Sequence, residues 1–189
     1  MAADPHPRLT PEEYLEIEPA ADYKSEYFNG EMFAMSGGTP RHAVIAGNAG
    51  AEFRAALRNK GYTVASSDLR IRTTPAGLYT YPDVTVYCGQ LQFVEGTKET
   101  ITNPVLLVEV LSPSSESHDR VLKWEQYRQI ESLRDYVLIS QTTPRVEVYS
   151  RHPEGWLFTE FVGVDARCRF PGVDCEIDAR EIYLGVQFD

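Results

Sequence analysis

Apolar and polar positions along this chain recur with two different periods, and each change of period marks an element. Near the start, Thr10-Pro11-Glu12-Glu13 combines a capping residue, a proline at the first helical position and a glutamate three residues after the cap. That pattern predicts a short helix ending by Pro19. Two strand-like runs, Tyr23–Phe28 and Glu31–Met35, flank Asn29-Gly30, the leading signal for a primed hairpin turn. From Arg41 to Lys60 the apolar positions Val44, Ala51, Ala55 and Leu57 return at helical spacing, with Gly61 as a C-cap. Gly47 and Gly50 weaken that helix unless another backbone packs closely against it. Period-two or fully apolar runs then predict strands at Tyr62–Ser66, Leu69–Thr73, Tyr81–Tyr87 and Val105–Leu111. A helix capped by Ser117 or Asp119 runs to Ile130, followed by strands at Tyr136–Gln141, Val146–Ser150 and Trp156–Phe161 and a last helix at Asp178–Tyr183. Helices interleaved with strands in this way predict one α/β domain over residues 10–189 with a mixed central sheet flanked by helices.

The strand Pro104–Leu111 is apolar almost throughout, as a strand covered on both faces should be. Glu109 interrupts it, and with period two it shares a face with Val105, Leu107 and Leu111. A buried carboxylate must be neutralised, paired or bound to a cation, so Glu109 is either a strand-end partner of an arginine or part of a site. Asp83, between Pro82 and a β-branched run, repeats the pattern: a residue type that strands disfavour, placed in a strand. Carboxylates on two neighbouring strands are what a hard divalent cation such as Mg²⁺ needs, with water filling its other positions. Such a cation activates water and neutralises charge developing on a phosphate. Beyond Glu109, Lys123 either pairs with Asp119 on a solvated helix face or points back toward the carboxylates. His42 opens a helix as a cap, a surface residue or a contact to metal or phosphate. Glu31 is a turn-flanking charge or a further carboxylate. Ser36-Gly37-Gly38 reads as a hinge more than a phosphate loop, and Trp124, Tyr127 and Tyr136 read as core more than base-stacking platforms.

Charge changes the picture in one place. The chain of 189 residues is acidic overall, with a formal charge of −10, yet Arg41–Pro75 holds six basic residues against two acidic ones. Arg41, Arg54, Arg58, Arg70 and Arg72 are therefore candidates for a polyanion's phosphates, with a solvated helix face as the alternative. No apolar run nears the ~20 residues that span a bilayer, and the N-terminal residues lack the apolar region of a secretory signal. Three cysteines without a C-x-x-C pair argue for reduced thiols, Cys168 and Cys175 included, in a cytoplasmic protein, and against a zinc finger or a disulfide scaffold. Nucleotide-loop, serine-hydrolase and zinc-protease motifs are absent.

Several segments occur together and in order: Asn29-Gly30-Glu31, Ser36-Gly37-Gly38-Thr39-Pro40-Arg41-His42, Pro82-Asp83-Val84, Val108-Glu109-Val110-Leu111-Ser112-Pro113-Ser114, Asp119 to Lys123, Tyr127, and Ser132 to Leu138. In this the chain resembles the Uma2 family, a restriction-endonuclease-like branch of the PD-(D/E)XK nucleases, from about Thr10 to Asp189. The resemblance implies a metal-dependent endonuclease hydrolysing phosphodiester bonds of nucleic acid, with DNA as the expected substrate. It implies Mg²⁺, with Mn²⁺ as a substitute, held by Asp83, Glu109 and the Val110 carbonyl, and a homodimer addressing both strands. Leu111 stands where the family superfold places its E-x-K lysine, so Lys123 is implied as the replacement. That departure keeps a second function open: a nuclease-fold module that binds nucleic acid or a protein partner without cleaving.

Overall fold

The N-terminal elements form as their local signals dictate. In the computed structural model, which describes residues 8–35, 37–113 and 115–188, the Thr10 hydroxyl accepts from the Glu13 amide while the Glu13 carboxylate accepts from the Thr10 amide, closing the capping box of α1 (Pro11–Ile17). β1 (Ser25–Phe28) and β2 (Glu31–Ala34) pair antiparallel about Asn29 and Gly30, whose φ angles of 50° and 87° are those a primed turn requires. α2 (Pro40–Ala56) starts on Thr39, whose hydroxyl accepts from the His42 amide. It stops ahead of the predicted Lys60, and Asn59 and Gly61 then take left-handed φ of 65° and 80°.

The chain continues through β3 (Tyr62–Ser66), β4 (Arg70–Arg72), β5 (Tyr79–Thr80), β6 (Val84–Cys88), β7 (Thr100–Ile101) and β8 (Pro104–Leu111). The strand expected over Tyr81–Tyr87 begins only at Val84, and β5, which ends just before Tyr81, belongs to the other sheet. Tyr81-Pro82-Asp83 carries the chain between them, because proline offers no ladder donor and restrains the residue before it. α3 follows over residues 116–127 in three pieces: a turn at Glu116–His118, a π-helical turn at Asp119–Lys123 and a final turn at Trp124–Tyr127. β9 (Asp135–Ser140), β10 (Arg145–His152), β11 (Gly155–Val162), β12 (Arg167–Phe170), β13 (Cys175–Asp178) and α4 (Ala179–Ile182) complete it. The ribbon of β12 and β13 is too short for its period to stand out in the sequence. It carries Cys168 and Cys175, both buried and both free thiols.

Two larger sheets organise these strands. One is six-stranded, in the order β11-β10-β9-β8-β6-β3, and is mixed because β8 and β9 run parallel while the other pairs are antiparallel. The other is five-stranded, β2-β1-β5-β4-β7. β8 is buried on both faces, as its apolar run predicts. Leu106, Val108 and Val110 pack with Ile45, Ala49 and Phe53 of α2, whereas Leu107 and Leu111 pack with Tyr127, Ile130 and Tyr136. Truncating Leu107 to alanine would cost about 2–5 kcal/mol, lost burial and cavity together. Glu109 lies between Leu107 and Leu111, on the face that α3 covers. No helix among the described residues is long and apolar enough to cross a membrane.

Candidate active site

Lys123 is the centre of the buried charge. The π-helical turn puts Asp119 and Lys123 on the same side of α3, 3.1 Å apart, and turns both inward. Turns of this kind recur at functional sites, and here the Tyr136 hydroxyl donates to the Asp119 carbonyl within it. The Lys123 ammonium lies 3.1 Å from Glu109 Oε1 on β8 and 3.0 Å from Glu26 Oε1 on β1. Tyr127, one turn further along α3, donates to the same Glu109 oxygen at 2.7 Å. The lysine is thus not on a solvated face: 5% of it is exposed.

Asp83 completes the acid set from the bend before β6, whose first residue, Val84, pairs with Val108 of β8. Its Oδ2 accepts from the Val110 amide at 2.7 Å and lies 3.2 Å from His42 Nε2. The Val110 backbone also bonds the His42 ring, and with Asp83 it raises the histidine's pKa against the effect of burial. Gly38 allows this packing, since a Cβ there would fall 2.7 Å from His42 Nδ1.

Electrostatics within the cluster is unbalanced. Glu26, Glu109 and Asp119 share one cation, Lys123, and Asp83 lies beside His42. Burial pushes Glu109 well above the usual carboxylate range, and the neighbouring Asp119 and Asp83 add to it against the pull of Lys123. Burial alone would lower Lys123, but Glu109, Glu26 and Asp119 together hold it protonated far past the ordinary lysine range. Burial would likewise raise Glu26, yet hydrogen bonds from His118, Lys123 and Thr80 hold it down at about 2. Among the described residues no three His, Cys, Asp or Glu side chains form a ready-made metal cage. Mg²⁺ needs less, one or two carboxylates with water completing its shell. The Asp83 carboxylate and the Val110 backbone meet at His42, with Glu109 next along the strand. Hard oxygen donors carrying surplus negative charge therefore fit such an ion.

These groups open into a cleft of about 1230 Å³, lined by Glu26, His42, Asp83, Glu109 and Lys123 and also by Arg54 and Arg58. Gly47 and Gly50 line it too, and neither is needed for internal packing: a Cβ on Gly47 would meet nothing within 4 Å and one on Gly50 only Val84 at 3.7 Å.

The remaining candidates fall elsewhere. Arg70 is corrected from phosphate contact to structural pillar: it is 2% exposed and donates to Thr100 and Tyr81 inside the five-stranded sheet. Arg72 shares that strand, Arg41 donates to the Gln141 carbonyl, and neither lines the cleft. Glu31 is exposed on the hairpin, away from the cleft. Tyr127 and Tyr136 are fully buried, with Trp124 stacked beside Tyr136. Ser36 and Ser114 lie outside the described residues. Glu26, Thr80 and His118 were not anticipated. Glu26 carries part of the signal that marks Asp83 and Glu109, an acid inside a strand that continues into Tyr27 and Phe28.

This arrangement defines a restriction-endonuclease-like α/β protein. Its fold is similar to a solved structure described as a putative nuclease belonging to DUF820 from Anabaena variabilis ATCC 29413, with a TM-score of 0.75 over 93% of this chain and 97% of that one, at 17% identity. The chain belongs to the Uma2 family, described as "putative restriction endonuclease", whose model matches residues 11–174. Among its relatives are two from Synechocystis sp. (strain ATCC 27184 / PCC 6803 / Kazusa). Uncharacterized protein slr1290 is 36% identical over 97% of this chain and 96% of its own length. Uncharacterized protein sll1609 is 34% identical over 86% and 92%.

Proposed function

We propose that this protein is a Mg²⁺-dependent endonuclease that hydrolyses phosphodiester bonds of nucleic acid, with DNA as its substrate. The observation that carries the reading is the meeting of Asp83, Glu109 and Lys123 in one cleft, from the bend before β6, from β8 and from α3. Asp83, Glu109 and the Val110 carbonyl would hold the ion. When bound, it supplies charge neutralisation at the phosphate and a more acidic water. Lys123, held protonated by its three carboxylates, acts as a hydrogen-bond donor that orients the attacking water, not as its base. His42, its pKa raised chiefly by its bond to Asp83, lines the same cleft as a candidate proton carrier. Attack of the water oxygen on phosphorus breaks the bond to the 3′ oxygen; a water proton is given up and the leaving oxygen takes one up, so that the products are a 3′-hydroxyl and a 5′-phosphate. Arg54 and Arg58 contact backbone phosphates along the same cleft, and two copies address the two strands.

The test is nicking of supercoiled plasmid by the full chain with Mg²⁺ or Mn²⁺, beside Asp83→Asn and Glu109→Gln. Metal-dependent nicking that both variants lose supports the reading. Equal cleavage by wild type and variants overturns the site, and retention of DNA on a gel without any cleavage assigns the fold to binding alone.

A further inference from the structure

On a strand-borne E-x-K pair the strand itself aims the lysine. Here the corresponding position is Leu111, buried in the core with Tyr127 and Tyr136, and the lysine arrives from α3 instead. A lysine head is a compact charge on a flexible four-carbon stem, so its place over Glu109 has to be imposed by neighbours. Two of these, Glu109 and Asp119, belong to β8 and to the lysine's own turn. Left with those two, the ammonium would settle between them and occupy the Glu109 oxygens.

The third neighbour comes from the other sheet. Glu26, on β1, is 6% exposed and reaches the ammonium at 3.0 Å through Oε1. That oxygen also accepts from the Thr80 hydroxyl on β5, and Oε2 is bonded to His118 Nε2 at 2.9 Å. Both carboxylate oxygens are therefore fixed, one by the neighbouring strand and one by the residue that immediately precedes the π-helical turn. A buried carboxylate with both oxygens bonded is a rigid anchor, because any other orientation leaves polar groups unsatisfied at a cost of about 1–3 kcal/mol.

We propose that Glu26 is a positioning residue for the cleavage reaction: it shares the Lys123 ammonium with Glu109 and Asp119 and fixes it at the cleft, with His118 and Thr80 setting the direction of its carboxylate. This rests on the nuclease reading above. It explains why the first hairpin bears a buried acid, and why the site spans both sheets.

The experiment uses the full chain, with Glu26→Gln as the near-isosteric variant, Lys123→Met, and the pair combined. Glu26→Gln should lower kcat by about 10–100-fold, the effect of misplacing a reacting group by a fraction of an ångström to an ångström, with KM nearly unchanged. In the Lys123→Met background the same change should cost nothing further. Without nucleic acid, side-chain NMR of labelled lysines should give Lys123, assigned by its loss in Lys123→Met, two distinct ε-methylene protons in the wild type and one averaged signal in Glu26→Gln. Wild-type kcat in Glu26→Gln with the Lys123 signal unmoved would overturn the proposal, as would full additivity with Lys123→Met. If Lys123→Met itself cleaves normally, the nuclease role of Lys123 fails, and the NMR result still decides whether Glu26 holds it. Should Glu26→Gln not fold, His118→Ala, at a part-exposed position, frees Oε2 and should mobilise the same lysine signal; an unchanged signal there overturns the proposal.

Discussion

Glu109 and Asp135 lie on the parallel pair β8 and β9, at opposite ends of it, and both are buried. Asp135 begins β9, accepts from the Gly172 amide at 2.8 Å and is bonded by Ser150. Gly172 has to be glycine there, since a Cβ would fall 2.7 Å from Asp135 Oδ2. Burial raises Asp135 to about 6, and it does not line the cleft. Glu109 faces the cleft among three further acids and a lysine. Burial raises both groups, so burial does not mark function. What separates them is the company each keeps: Asp135 meets an amide and a hydroxyl outside the cleft and leaves its Oδ1 without a hydrogen-bond partner, while Glu109 shares an excess of acid with an opening to solvent.

The largest effect should fall on the Glu109 side of that comparison. Glu109→Gln and Asp83→Asn should each lower metal-dependent cleavage on the order of 10³-fold or more, the scale of losing an ion's charge stabilisation, while Asp135→Asn leaves it unchanged. Plasmid nicking reads all three, and an equal loss in Asp135→Asn would erase the distinction. Lys123→Met should retain metal binding by calorimetry while turnover falls about 10²–10⁴-fold. Lys123→Arg should not restore it, because the guanidinium is planar and differently shaped.

Asp135 should show itself in stability. Its folded pKa of about 6 lies above the unfolded value of about 3.9. The folded state therefore binds the proton more tightly, and stability falls as pH rises from about 4 through 6. Asp135→Asn should raise stability at pH 7 by about 2 kcal/mol, and the gain over wild type should vanish near pH 4. Glu26 has the opposite sign: its pKa is held down to about 2, so its contribution is present above the unfolded carboxylate pKa and lost as pH falls toward 2. Denaturant titrations across this range check both slopes. The smallest effect is on the basic residues. Reversing Arg54 or Arg58 should flatten the salt dependence of DNA binding by about one log–log unit per lost phosphate contact. Changing buried Arg70 should alter thermal stability and leave that slope alone.

Local chemistry sufficed for much of this. The Thr10–Glu13 capping box, the Asn29-Gly30 hairpin and the doubly buried β8 are legible because each depends on neighbours in the chain. Asp83 and Glu109 are legible because an acid in an apolar strand demands a partner wherever that partner lies. The Uma2 motifs likewise carry the fold class. Tertiary structure decided the rest. Pro82 delayed the expected strand to Val84, and only the sheet assignments show that the segment before it carries the chain from one sheet to the other and leaves Asp83 at the crossing. The basic stretch dissolved because α2 and β4 face different ways, sending Arg54 and Arg58 to the cleft and Arg70 into the core. The i, i+4 spacing of Asp119 and Lys123 suits a solvated pair as well as a buried one, and only β1, packed across from the other sheet, turned it into a buried cluster. Glu26 shares no local signal with Lys123. Their contact joins residues ninety-seven positions apart, and a sequence carries no term for a distance that only two packed sheets create.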